Sequence, residues 1–385
     1  MNRALIKWIR TATERYRAPD WMPQGLRRLV RWSSERLYRR YHVRSAKSAL
    51  GGRTGNLDDA EVFFRKHLTP LHAPLVVISQ VQRSGGTLLS QLFDGHPELC
   101  AYPGELKVDF PSADSWPQLE PAREVKWNFQ KLFDPNLAQR VRRGFIKGNR
   151  NPERFSFMLM PRLEYRLFEH LFETAPPSNA RDIIDHFFTA FFNAWLNYQG
   201  NLKQKRLITA FAPRLAHDDA NIDCYFADYP DGRLIQIVRD PMGWYPSAKN
   251  HAKSAFTSMS AEHILDRWRG SAESMLRNRR RYGDRVVIVR FEDIVAHTEE
   301  TMRALAGLLG IGWDPILLEP TFNREPMRAN SSFAVETTGI IEGPLNRATT
   351  LSADERALIE ARCADLYKRV LDQALRVSAQ ARVLA

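Results

Sequence analysis

Cysteine is scarce in this 385-residue chain: Cys100, Cys224 and Cys363 are far apart and odd in number. Neither a disulfide framework nor a paired-cysteine metal site can be built from them, which points to a reducing compartment. Long apolar runs are missing too. No stretch approaches the ~18 uninterrupted apolar residues of a spanning helix, and the N-terminus lacks the apolar block of a secretory signal. The expectation is a cytoplasmic protein that does not span a membrane. Low-complexity sequence is also absent: 44% apolar and 26% charged residues, with 20 Gly and 22 Pro, describe an ordinary folded chain. One large α/β domain with insertions, or two or three smaller ones, would account for the length.

The positive charge is concentrated at one end. Residues 1–50 carry 13 Lys/Arg against Glu14, Asp20 and Glu35, which is +10 of the chain's net +12. Leu5, Trp8, Ile9, Ala12 and Tyr16 fall on one face of a helix, and Leu26, Leu29, Val30, Leu37 and Tyr41 on one face of a second, with Pro19 and Pro23 between them. Arginines fill the other faces. Two cationic amphipathic helices with aromatic residues at the apolar edge suit the surface of an anionic membrane; they equally suit an arm that packs its stripe on the body or on a second subunit. A nucleic-acid partner or a transit peptide is less favoured. Gly51–Gly55 then forms a joint, so the expected domains are a helical basic arm over 1–55 and a main domain over 56–385. The oligomeric state is left open.

The main domain begins with a strand followed by a glycine loop. Leu75-Val76-Val77-Ile78-Ser79 is a short continuous apolar run, the pattern of a strand buried on both faces of a parallel sheet. Gln82-Arg83-Ser84-Gly85-Gly86-Thr87 follows, and then Leu88, Leu89, Leu92 and Phe93 at helical spacing. Strand, glycine loop and helix start bring backbone N–H groups and the positive end of a helix dipole to one point, which suits a phosphate. A Walker-type loop would need Lys directly before the Thr, where this chain has Gly86, so a magnesium-nucleotide kinase is disfavoured.

The run from Arg83 to Pro97 resembles the 5′-phosphosulfate loop of sulfotransferases that use 3′-phosphoadenosine 5′-phosphosulfate (PAPS). It is most similar to the branch holding the tyrosylprotein sulfotransferases and many bacterial enzymes, where an RSGTTLL-type loop is usual. Gly86 stands in place of the first Thr. The resemblance implies that Arg83, Ser84, Gly85, Gly86, Thr87 and Leu88 bind the donor, with Arg83 also neutralising the departing phosphate.

A second anion site follows in the order that the family requires. Arg233–Val238 reads as a strand leading into Arg239-Asp240-Pro241, with Ser247 eight residues after the arginine. A guanidinium at a strand end and a hydroxyl from the next helix can grip one phosphate together; the resemblance makes it the 3′-phosphate. Two departures stand out: His251 replaces a further arginine, and Phe291-Glu292 replaces Tyr-Glu. Asp293 is expected to cap the helix carrying Met302, Leu305, Ala306 and Leu309. Farther on, Ser331, Ser332 and Arg347 look like the loop that relatives fold over the nucleotide.

Residues 100–210, rich in aromatics, are the expected acceptor-side insertion, with Phe187, Phe188, Phe191, Phe192 and Trp195 assigned to core. Glu105 of Gly104-Glu105 lies near the position of the family's catalytic carboxylate and is the expected general base, and His96 is read as a structural cap. Where relatives commonly have Lys-Thr-Pro, this chain has Phe211-Ala212-Pro213. The implied architecture is a three-layer, P-loop-type parallel sheet flanked by helices, with strands at 75–79, 206–212, 233–238 and 286–290 and both anion loops at its C-terminal edge. The implied activity is metal-free sulfuryl transfer from PAPS to a hydroxyl of a carbohydrate, lipid head group, peptide or small alcohol. The alternatives are a P-loop-type kinase and a nucleotide-binding, membrane-docking protein without turnover.

Overall fold

A computed structural model describes residues 57–109, 115–134, 137, 145–147, 153–250, 260–328 and 338–376. The basic arm at 1–55, His251 and Ser331-Ser332 lie outside these residues. Phe64–Ala385 form one unit, which carries everything discussed below; the described residues before it belong to another.

The elements in chain order are α1 (Leu57–Lys66), β1 (Leu75–Ile78), α2 (Gly86–Phe93), β2 (Leu99–Glu105), α3 (Val125–Leu132), β3 (Phe145–Lys147), β4 (Glu153–Phe155), α4 (Pro161–Thr174), α5 (Ala180–Ala194), β5 (Leu207–Phe211), α6 (Asp219–Asp228), β6 (Arg233–Val238), α7 (Pro241–Lys249), α8 (Ala261–Tyr282), β7 (Val286–Arg290), α9 (Phe291–Ala296), α10 (Thr298–Leu309), β8 (Thr321–Phe322), β9 (Glu325–Pro326) and α11 (Ala353–Leu371). Five strands make one sheet in the order β2-β5-β1-β6-β7, with every pairing parallel. The four expected strands are present within a residue at each end. The edge strand β2 was not among them, and Gly104-Glu105 forms its last two residues.

Alternation across the pleat divides the core into two layers. Val76, Ile78, Ile235, Ile237, Val287 and Val289 point to the face covered by α2, α9 and α10. Val238 and Ile288 belong to the opposite layer, with Trp244 of α7, Trp268 of α8 and Cys363 of α11. Tyr225 fastens two strands together: its hydroxyl donates to the carbonyls of Leu75 at 2.6 Å and Arg233 at 2.9 Å. β1 connects outward to β2 while β6 pairs on its other side, so the chain reverses direction beside β1, where open parallel sheets place their ligand crevice.

The insertion between β2 and β5 builds its own aromatic layer. Pro161 starts α4, and the Asn179 side chain caps α5 by accepting from the Asp182 amide at 3.0 Å. Phe168, Phe187, Phe188, Phe191 and Phe192 are all buried between these helices and the sheet edge, as their spacing predicts. Glu164 is buried among them, and its Oε2 has no partner among the described residues. Burial pushes its carboxyl well above the usual carboxylate range. Because the folded value lies above the unfolded one, Glu164 favours folding fully only in acid, and that contribution is lost as pH rises through the folded value. Glu164→Gln is therefore expected to raise the melting temperature near pH 7 by an amount worth roughly 1–3 kcal/mol, with the gain vanishing near pH 4. Melting curves across that range would show it; a gain independent of pH would refute the explanation.

The expectation that Asp293 caps α10 is corrected. A separate short helix, α9, intervenes, and α10 starts after His297 without a side-chain cap. Asp293 sits in the first turn of α9 and faces Arg290 at 3.8 Å; its backbone carbonyl accepts from the His297 amide at 2.9 Å and from Thr301 Oγ1 at 3.0 Å. The apolar stripe runs on across the break at His297, which hides the boundary in the sequence.

Candidate active site

The loop after β1 is held from several sides. Val81 N donates to Ser271 Oγ at 3.0 Å, and Trp244 Nε1 donates to Gln82 O at 2.9 Å. Arg83 is left-handed, at φ 72°, a conformation that non-glycine residues keep only where the surroundings impose it. Gly85 follows at φ 101° and leads directly into α2. A side chain at Gly85 would put its Cβ 2.5 Å from the Phe291 ring. A Cβ at Gly86 would overlap the Gln80 amide and the Phe211 ring. The Gln80 amide and the Phe211 ring together occupy the space that a side chain at 86 would need. Gly86→Ala is expected to cost roughly 1–3 kcal/mol of stability and to weaken nucleotide binding, because the ring or the loop must shift. Melting and nucleotide titration of that variant would check this.

The second anion site meets the first. Arg239, at the end of β6, donates through Nη1 to the Arg83 carbonyl at 3.0 Å and to Ser247 Oγ at 3.4 Å, and through Nη2 to the Pro344 carbonyl at 2.9 Å. Arg347 also donates to Ser247 Oγ. The guanidinium of Arg239 lies over the Phe291 ring, 4.4 Å from its centroid. Asp240 caps α7 by accepting from Met242 N at 2.9 Å, while its own amide donates to Glu292 Oε1 at 3.1 Å. Arg83 and Arg239 therefore share one edge of the sheet.

The electrostatics of this cluster call for an anion. Burial, and then the charges of Arg347 and Arg83 against the nearby Glu292, pull Arg239 down to about 9; burial, and then Arg83, pull Arg347 down to about 10. Burial lowers Arg83 as well. Arginine keeps its proton at any ordinary pH, so the shifts express the burial of three like charges close together. Ser84 Oγ, Arg83 Nε and Arg239 Nε are buried with no hydrogen-bond partner among the described residues. A phosphate-bearing nucleotide fits such a cradle on both charge and donor grounds.

Glu105 ends β2 in register with Phe211, and Leu106 N donates to Phe211 O at 2.7 Å. Glu105 is exposed, and it is the preceding Gly104, not Glu105, that lines a cavity of about 30 Å³ between α2 and β2 together with Thr87, Ser90, Tyr102, Phe211 and Phe322. Thr87 of α2 and Phe211 of β5 both line it. His96 is structural: its ring contacts Gly312 O through Nε2 at 2.9 Å and takes the Glu98 amide on Nδ1 at 3.1 Å. Sequence reasoning missed Trp244, the Pro344 carbonyl and Glu292 as groups that position the cradle. The eight-residue spacing of Arg239 and Ser247 gives no hint of the first two, because a buried Trp reads as core; Glu292 reads as structural, which its bond from the Asp240 amide bears out.

The Sulfotransferase family model matches residues 74–315. The chain belongs to the sulfotransferase family, and its reaction is sulfuryl transfer to an acceptor. Among solved structures it is similar to the sulfotransferase domain of the Synechococcus PCC 7002 olefin synthase, at 18% identity and TM-score 0.46, over 80% of this chain and 98% of that one. Sulfotransferase STF9 of Mycobacterium avium matches at 15% identity and TM-score 0.37, over 78% and 76% of the two chains. Mouse sulfotransferase SULT7A1, solved with PAP, matches at 10% and 0.35, over 80% and 92%. No curated protein matches.

Proposed function

We propose that the loop Arg83–Leu88 holds the 5′-phosphosulfate of PAPS, that Arg239, Ser247 and Arg347 hold its 3′-phosphate, and that Glu105 is the general base. The observation that carries this reading is the convergence of three guanidiniums and Ser247 on a glycine-started helix at one sheet edge. In this assignment Glu105 takes the proton of the acceptor hydroxyl as its oxygen bonds to sulfur; the bond from sulfur to the 5′-phosphate oxygen breaks, and its electron pair leaves with the phosphate, facing Arg83. Ser331 and Ser332 would close over the nucleotide with Arg347. The left-handed Arg83 and the amides at the start of α2 supply fixed donors, which need no reorganisation during transfer. Calorimetric titration with PAP, the desulfated nucleotide, tests the donor site, and a screen of alcohols with labelled donor tests turnover. Absence of PAP binding would remove the assignment.

The basic arm is proposed to dock on an anionic membrane. Each Lys or Arg near such a surface contributes ~1 kcal/mol, and Trp8 with the leucines adds apolar area. Deleting residues 1–50 is expected to abolish co-sedimentation with phosphatidylserine vesicles and to spare PAP affinity. A truncation that instead lowers the melting temperature, from an intact chain that ignores vesicles, would show the arm packed on the body.

A further inference from the structure

A second gathering of cations lies outside the nucleotide cradle. Where β1 gives way to the loop, Val81 and Gln82 face the turn Leu215–His217 and the middle of α8 across a cavity of about 210 Å³. Arg214, His217, Arg267, Gly270 and Arg277 complete its lining, and no carboxylate is among the lining residues. Asp219 pairs with Arg277 at 3.2 Å from outside. Gln82 Oε1 and His217 Nε2 are buried without a hydrogen-bond partner among the described residues.

The walls are fixed. Arg214 is left-handed at φ 69°, Ala216 N donates to Ser79 Oγ at 2.9 Å, and Asn278 Nδ2 donates to Ala216 O at 3.1 Å. Burial, and then Arg214, Arg277 and Arg267, pull the His217 ring down to about 4, so it is neutral at physiological pH. Gly270 sits inside α8, where glycine costs ~1 kcal/mol relative to alanine, although a Cβ there would meet nothing within 4 Å. That position opens into space.

We propose that this cavity is an oxyanion pocket for the acceptor, taking a carboxylate, phosphate or sulfate carried by the alcohol that is sulfated. The nucleotide does not need it, since the glycine loop and the Arg239 cradle already match both of its anionic ends. The pocket is tied to the transfer site through the chain: Gln82 directly precedes Arg83, and Arg214 comes three residues after Phe211, the last residue of β5. The acceptor class is thereby an anionic alcohol. The acceptor role rests on the sulfotransferase reading; the anion pocket does not.

The test uses the full chain saturated with PAP, so that the nucleotide cradle is filled, and inorganic phosphate as the probe. Phosphate is expected to raise the melting temperature of the wild type in a saturable way. Arg267→Gln should weaken its half-saturation tenfold or more. Gly270→Glu, which swings a carboxylate into open space, should abolish the phosphate effect and raise the melting temperature of the ligand-free protein. PAP affinity should be unchanged in both variants. In the acceptor arm, R267Q should raise KM for carboxylated or phosphorylated alcohols tenfold or more, hold kcat, and leave neutral alcohols alone. A phosphate effect that is missing, or that persists in both variants, overturns the pocket. Phosphate binding lost in the variants with unaltered acceptor KM overturns the acceptor role and leaves a free-anion site. Failure of the wild type to bind PAP would count against the nucleotide assignment alone, because the R267Q comparison with phosphate can be made without nucleotide.

Discussion

Arg239→Ala is expected to reduce affinity for PAP about a hundredfold, the upper end of what one charge-assisted phosphate contact provides. Such a contact is typically worth ~1.5–3 kcal/mol, or roughly tenfold to a hundredfold. Two features push this residue to the top of the range. Its Nη1 holds the Arg83 carbonyl and its Nη2 the Pro344 carbonyl, so the side chain ties the donor loop to the segment carrying Arg347. Removing it also leaves Ser247 Oγ to Arg347 alone and takes from the Phe291 ring the guanidinium stacked 4.4 Å away. Working against the loss, one of three mutually repelling cations disappears, so the protein without nucleotide should keep its fold and could even melt slightly higher. Arg239→Lys keeps the charge but loses the fork, and should fall between wild type and alanine. Calorimetry with PAP on the three proteins tests this. Equal affinities would remove the 3′-phosphate assignment.

Glu105→Gln is expected to lower turnover by ~10²–10⁴-fold and to leave PAP affinity unchanged, since the carboxylate is assigned to the acceptor proton alone. The position leaves the carboxylate accessible: the residue is exposed at the end of an edge strand, one residue after Gly104, which lines the small cavity with Thr87 and Phe211. Single-turnover measurements with labelled donor separate the two quantities. The loss should be in kcat, with KM for the acceptor nearly constant. A fully active variant would send the search to the histidines. There His96 is committed to Gly312 and Glu98, and the His217 ring, held down near 4, is a weak base at neutral pH.

What could be read in the sequence was what depends on neighbours along the chain. β1, β5, β6 and β7 are short runs in which nearly every residue is buried, and such runs declare themselves by composition. β2 did not: it carries Pro103 and Gly104 near its end, tolerable only because it lies at the sheet edge, where one side of the backbone needs no partner. The placement of the glycine loop and of Arg239 was legible for the same local reason, since a glycine turn before a helix and an arginine at a strand end depend on adjacent backbone. The groups that hold these loops were not. Trp244 reaches back 162 positions to Gln82, and Pro344 lies 105 positions beyond Arg239. Arg214, Arg267 and Arg277 likewise meet only because the turn after β5 packs on α8; in the sequence they are three ordinary surface arginines. The break between α9 and α10 was hidden because the apolar periodicity continues through His297.

The ring of Phe211 and the bare backbone of Gly86 occupy one volume between them, and this changes how variation in the loop is to be counted. Scored position by position, a missing threonine in the glycine loop and a missing lysine after β5 are two marks against kinship with the other sulfotransferases. Packed together they are a single event, because Phe211, with the Gln80 amide beside it, fills the space that a side chain at 86 would need. A lineage could pass between the two states only through an intermediate that is overfilled or hollow. The pair should therefore be inherited as a unit, and a relative that keeps phenylalanine at the one position should be found to keep glycine at the other.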